Sequence, residues 1–252
     1  MSTTVAWQVQ ERRRALLIAT VAAVVLYVLW NQPIFNSVLY PLRLFVTYIH
    51  EAGHSLAAII TGGRVERFIV SANGSGVAWT AGGNRLVISA AGYLGAALFG
   101  SGLFYVVNRF PRWDSTIAFF LGIFMVVFTV SFARPDEGGA PVAIIIGLLF
   151  GVGLFLLGWR APRFLTLLVL DVLAISTALN AVLDVWYLVT DIGASRGLVV
   201  NDAAAFARQT GWIPASVVAL LWSLIAVAMF SLAVWYAVWK PLQAEIKSLL
   251  QR

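Results

Sequence analysis

The chain is a succession of long apolar runs, and that feature constrains its fold more than any motif does. A run of about 20 apolar residues is long enough to cross a bilayer as a helix. About seven such runs follow one another, at residues 15–30, 39–60, 86–107, 116–133, 140–158, 164–189 and 213–239. Hydrocarbon offers no partner to a backbone N–H or C=O, so spanning segments must be helices or closed barrels. The runs are too long for barrel strands. The expected fold is an all-α polytopic membrane protein, with about seven transmembrane helices and a short β-hairpin after the second. Residues 1–252 are read as a single integral-membrane unit in the cell membrane.

Composition excludes the alternatives. The sequence is 61% hydrophobic and 11% charged. Soluble domains average about 45–50% and about 25%. A soluble fold of this size would need far more polar surface to cover its core. Net charge is +6, but the basic residues are scattered singly apart from Arg12, Arg13 and Arg14. Basic residues flanking apolar runs point to lipid as a partner and not to nucleic acid. The Arg12–Arg14 cluster favours an inside N-terminus. The first run lacks a small-residue cleavage site and is read as a retained helix. With no cysteine, disulfides, iron–sulfur clusters and thiolate zinc sites are excluded.

Two polar stretches interrupt the pattern. In 61–85, β-favouring residues flank Asn73-Gly74-Ser75-Gly76, which predicts a hairpin over 64–80. In 190–212, Asn201 is placed to cap a short surface helix.

The second run contains His50-Glu51-Ala52-Gly53-His54. Histidines four apart on a helix share a face, one turn above the other. Their imidazoles can converge on one zinc ion at about 2.0–2.1 Å each. Glu51 projects from the flank of the same turn, where it can act as general base toward water at the metal. Three ionisable groups within five residues of an apolar span are costly unless they pair or bind a metal.

A hydrolytic zinc site usually has three protein ligands. Both histidines of the chain are used, so the third ligand must be a carboxylate or an asparagine. The candidates are Asp171 and Asp184 in the sixth run, Asp136 and Glu137 in a loop, and Asp202 in the last loop. Asp171 and Asp184 lie about 20 Å apart along a helix and on nearly opposite sides, so they cannot both serve. Asp184 has Asn180 one turn before it, able to orient the carboxylate. Asp171 has no such support in sequence. Asp202 reaches the metal only if the last loop folds back into the membrane. These arguments rank Asp184 first, Asp202 second and Asp171 third. Gly92, Ala96 and Gly100 form a small-residue stripe read as helix packing.

The chain resembles the site-2 protease superfamily of intramembrane zinc metallopeptidases. The resemblance rests on the HEAGH motif inside a membrane helix, followed by Thr61-Gly62-Gly63 and a glycine-rich hairpin. Ser89-Ala90-Ala91-Gly92-Tyr93-Leu94-Gly95 and Asn201-Asp202-Ala203-Ala204 are similar to its compact bacterial, peptidase-M50B-like branch. It covers most of the chain, most strongly Leu42 to Gly100. It implies a zinc endopeptidase within the bilayer, acting on transmembrane protein substrates. His50 and His54 match its ligands and Glu51 its base. The family's Asn…Leu-Asp-Gly motif is matched nearest by Asn180-Ala181-Val182-Leu183-Asp184. Here the spacing is shorter, the proline is missing and Val185 replaces the glycine. The alternative is a non-catalytic metal-binding or transport-like membrane scaffold, which would need the histidines but tolerate loss of Glu51.

Overall fold

A computed structural model describes residues 36–190 and 201–244, scattered positions between 17 and 34, and only the backbone of 181–190. The expected first span, 15–30, lies largely outside the described residues. The order is α1 (Asn36–Ile60), β1 (Arg64–Val70), β2 (Gly76–Ala81), α2 (Arg85–Arg109), α3 (Asp114–Phe132), α4 (Val142–Arg160), α5 (Arg163–Thr190), α6 (Asp202–Thr210) and α7 (Ala215–Val234). The last continues as a π-turn over Trp235–Trp239.

Among the described residues, five helices are long and apolar enough to cross a membrane: α2, α3, α4, α5 and α7. The fold is therefore mostly helical with a two-stranded sheet, and five of the expected spans meet that measure. The expected second span, α1, does not, because Arg43, His50, Glu51 and His54 dilute its apolar character. Those polar groups are turned inward. Glu51, His54, Ser55, Asp171 and Thr177 are buried, while Phe120, Val130, Leu149, Leu221 and Leu224 face outward. A polar interior under an apolar exterior suits hydrocarbon as the solvent.

Small residues bring the helices close. A Cβ at Gly53 of α1 would collide with the Ala91 carbonyl of α2. At Gly100 of α2 it would fall 2.6 Å from the Ala174 oxygen and the Ala178 nitrogen of α5. The small-residue stripe thus packs α2 on α5 at Gly100, but Gly92 has another task, described below. Helices α3 and α4 form a hairpin closed by Asp136, whose Oδ1 accepts the Ala140 N–H at 2.8 Å.

The expected hairpin forms over Arg64–Ala81, with a register shift between Val65 and Arg67. Gly74 turns its tip with φ 89°, a conformation glycine adopts without steric cost. One face buries Phe68 and Val70 in the main core, where the Phe68 ring meets Tyr48 at 4.7 Å and Phe128 at 5.3 Å. The tip is tied to α1 twice. Thr47 Oγ1 donates to the Gly74 oxygen at 2.9 Å and Tyr40 Oη to the Ala72 oxygen at 2.5 Å. The hairpin therefore lies along α1 beside the HExxH turn.

Candidate metal centre

His50 and His54 lie one turn apart on α1 with their Nε2 atoms 3.2 Å from each other. His54 is oriented from behind. Its Nδ1 is 2.6 Å from the Ile88 carbonyl oxygen of α2. A carbonyl can only accept, so Nδ1 carries a proton and Nε2 turns to the site. Asp202 completes the group. Its Oδ2 is 2.9 Å from His50 Nε2 and 3.1 Å from His54 Nε2.

These three atoms make a nearly equilateral triangle that could hold a metal ion. A tetrahedral zinc with bonds of about 2.0–2.1 Å sets its ligand atoms about 3.3 Å apart, close to the sides of this triangle. Three lone-pair donors so near one another repel unless a proton or cation lies among them. Burial by itself would raise the Asp202 carboxyl. The hydrogen bonds and positive charge of His50 and His54 outweigh it and hold the carboxyl well below the usual carboxylate range. The donor set, two imidazoles and a carboxylate, is one that zinc takes.

Helix α2 passes close to both imidazoles. A Cβ at Gly92 of α2 would strike the Nε2 atoms of both histidines. Glycine is required there by the chemistry in front of it, not by helix packing alone. Tyr93, the next residue, sets its ring edge-on to His50 at 4.7 Å and 87°.

Glu51 is 6% exposed and its side chain lies against the hairpin. A Cβ at Gly76 of β2 would fall 2.5 Å from Glu51 Cγ and 2.8 Å from its Oε1. The backbone of Ala78 also meets the carboxyl. The strand register explains this approach. Ser71 N–H bonds the Ser75 oxygen, so alternation turns the polar groups of Phe68 and Val70, and of Gly76 and Ala78, away from the partner strand. On β1 that outer edge is covered, since the Phe68 oxygen accepts the Arg134 N–H at 2.9 Å. On β2 the outer edge runs past Glu51.

The carboxylate of the triangle arrives from a distant part of the sequence. Asn201 caps α6, its Oδ1 accepting the Ala204 N–H at 2.8 Å, and Gly211 closes the helix in the left-handed region. The predicted cap and short helix form, but the helix is no mere surface element: it carries Asp202 to the histidines. The side chain of Asp184, ranked first from sequence, lies outside the described residues. Its supporting Asn180 sits half-buried on α5. Among the described residues the carboxylate that meets the histidines is that of Asp202, ranked second from sequence. Loop folding, invisible to helical periodicity, decides this.

The other candidates have separate partners. Asp171, 1% exposed, accepts from Asn108 Nδ2 at 2.6 Å. The support that the sequence did not reveal is therefore present, on α2. Asp136 shapes the α3–α4 turn, and Glu137 is exposed on it.

The Peptidase M50B-like family model matches residues 18–233. The chain belongs to that family. No curated protein and no solved structure matches it. The match takes in every residue of the Peptidase M50B-like site described above, from His50 on α1 to Asp202 on α6.

Proposed function

We propose that the chain is an intramembrane zinc endopeptidase of site-2 type, hydrolysing peptide bonds in or near transmembrane segments of protein substrates. The observation that carries this reading is the triangle of His50, His54 and Asp202 with buried Glu51 on the adjacent flank. His50, His54 and Asp202 would hold the zinc. When bound, that ion polarises a scissile carbonyl and makes water nucleophilic at neutral pH.

The remaining chemistry belongs to side chains and backbone of this chain. Glu51 Oε accepts the proton of the attacking water and returns it to the leaving amine. Its burial beneath β2 keeps bulk water from competing for that proton. A helical substrate segment must unwind before attack, because its backbone is bonded to itself. The outer edge of β2 at Gly76, next to the Ala78 backbone that meets Glu51, offers the unwound segment strand pairing. It would align the extended chain beside Glu51.

We further infer about seven spans in the cell membrane, with 15–30 and α1 completing the five apolar helices, and lipid as the surrounding partner. Glu51 favours an enzyme over a metal-binding scaffold, since a scaffold has no use for a buried base beside its metal. The deciding experiment compares purified wild type with Glu51→Gln for zinc content and for cleavage of a panel of single-span membrane peptides. The proposal expects equal zinc and loss of cleavage only in the variant. Equal cleavage by both proteins overturns it.

A further inference from the structure

Helix α6 has nine residues, too few to be stable on its own in water, where helices shorter than about 12–15 residues are marginal. Yet it must hold Asp202 Oδ2 to within a few tenths of an ångström. Its docking is therefore part of the metal centre. Ala203 is buried with Val218, Ala219 and Trp222 of α7 in a small cluster separate from the main core, and Phe206 and Ala207 pack against it. One hydrogen bond, Gln209 Nε2 to Ser89 Oγ at 3.2 Å, ties its last turn to α2.

Within that cluster the aromatic contacts form a chain from one ligand to another. His50 meets the Tyr93 ring at 4.7 Å. Tyr93 of α2 meets Trp222 of α7 at 5.9 Å. Trp222 meets Phe206 of α6 edge-on, at 5.5 Å and 80°. Phe206 is four residues after Asp202, on the same helix face one turn along. Asp202 closes the ring on His50 at 2.9 Å. Trp222 is 5% exposed and is the one ring that touches both the α2 side and the α6 side of this circuit.

We propose that Trp222 is a positioning residue for the metal centre: through Tyr93 it backs the His50 imidazole, and through Phe206 it sets the depth of Asp202. This rests on the zinc reading above. The ring contacts of Trp222 are with Tyr93 and Phe206, and it acts through them. A large buried ring suits the task, because it contributes much apolar area with few rotatable bonds. Removing it takes the buried ring out of the cluster that docks α6 and removes its contact with the Tyr93 ring.

The test uses the full chain in detergent micelles, with zinc affinity read by chelator competition. The visible spectrum of the cobalt-substituted protein reports ligand geometry, and amide exchange reports the docking of 202–210. Trp222→Ala should weaken zinc binding about 10-fold or more, the scale seen when groups supporting a ligand are removed. It should also alter the cobalt bands and speed exchange in α6. Trp222→Phe should restore most of the affinity. Phe206→Ala sits on the short helix, outside the bundle core, and should reproduce the loss even if Trp222→Ala fails to fold. Phe155→Ala, at the α3–α4 contact with Phe119, should leave zinc affinity and cobalt bands unchanged. Wild-type affinity and bands in both Trp222→Ala and Phe206→Ala overturn the proposal. So does an equal loss in Phe155→Ala. A wild-type protein that binds no zinc instead overturns the metal reading on which it stands.

Discussion

Helices α1 and α6 bring ligands to one site by opposite means. On α1, two imidazoles and a carboxylate fall within five residues, and helical geometry alone makes the two imidazoles converge. The helix is long, deep in the bundle and locked to α2 where Gly53 meets Ala91. On α6, a single carboxylate sits at the start of nine residues, about 150 positions from its partners. Its aim depends on a cap, two alanines and a few rings. Covalent spacing builds one half of the site and packing builds the other. Damage to α1 should therefore act directly on the chemistry, and damage around α6 should act through geometry.

The largest expected effect lies on α1. His50→Ala/His54→Ala should abolish stoichiometric zinc binding, read by metal analysis of purified protein, because one remaining carboxylate cannot hold the ion. Full occupancy in that double variant would end the assignment. Next comes Glu51→Gln, expected to lower cleavage by about 10²–10⁴-fold with zinc content unchanged. A parallel fall in zinc would move Glu51 from base to ligand.

On α6, Asp202→Ala should weaken zinc about 10–100-fold, at least as much as removing a group that merely supports a ligand. Asp184→Ala should leave the affinity within error. The reverse ranking would transfer the third position to α5 and dissolve the contrast drawn here. A smaller effect is expected away from both helices. Asn108→Ala takes from the buried Asp171 carboxyl the hydrogen bond that Asn108 Nδ2 donates. It should cost about 1–3 kcal/mol of stability in a denaturant series while sparing zinc affinity. Smallest is Thr47→Val, which removes the hydrogen bond from α1 to the hairpin tip. One neutral hydrogen bond is worth about 0.5–1.5 kcal/mol, so KM should rise about 2–10-fold with zinc and kcat nearly unchanged. A fall in kcat alone would mean that the hairpin positions Glu51 and not the substrate.

The sequence by itself determined the elements whose information is local. Apolar runs of bilayer length dictate helices, because hydrocarbon leaves the backbone no other partner. The spacing of His50, Glu51 and His54 dictates a shared face on any helix. Asn73-Gly74 and Asn201 dictate a turn and a cap through their own side-chain and backbone chemistry. What tertiary structure decided is every relation between elements far apart in the chain. Asn180 beside Asp184 was a sound local argument, yet the carboxylate at the histidines is that of Asp202. Nothing within reach of residue 202 in sequence encodes the histidines it meets. The same holds for Gly92, read from its spacing as a packing residue, whose missing side chain clears the space over both imidazoles. It holds also for Asn108, whose pairing with Asp171 crosses from α2 to α5. Helical periodicity reports which way a side chain leaves its own axis. Which axis lies opposite is set by the packing of all the helices together, and that packing is what brings the Asp202 carboxylate to His50 and His54.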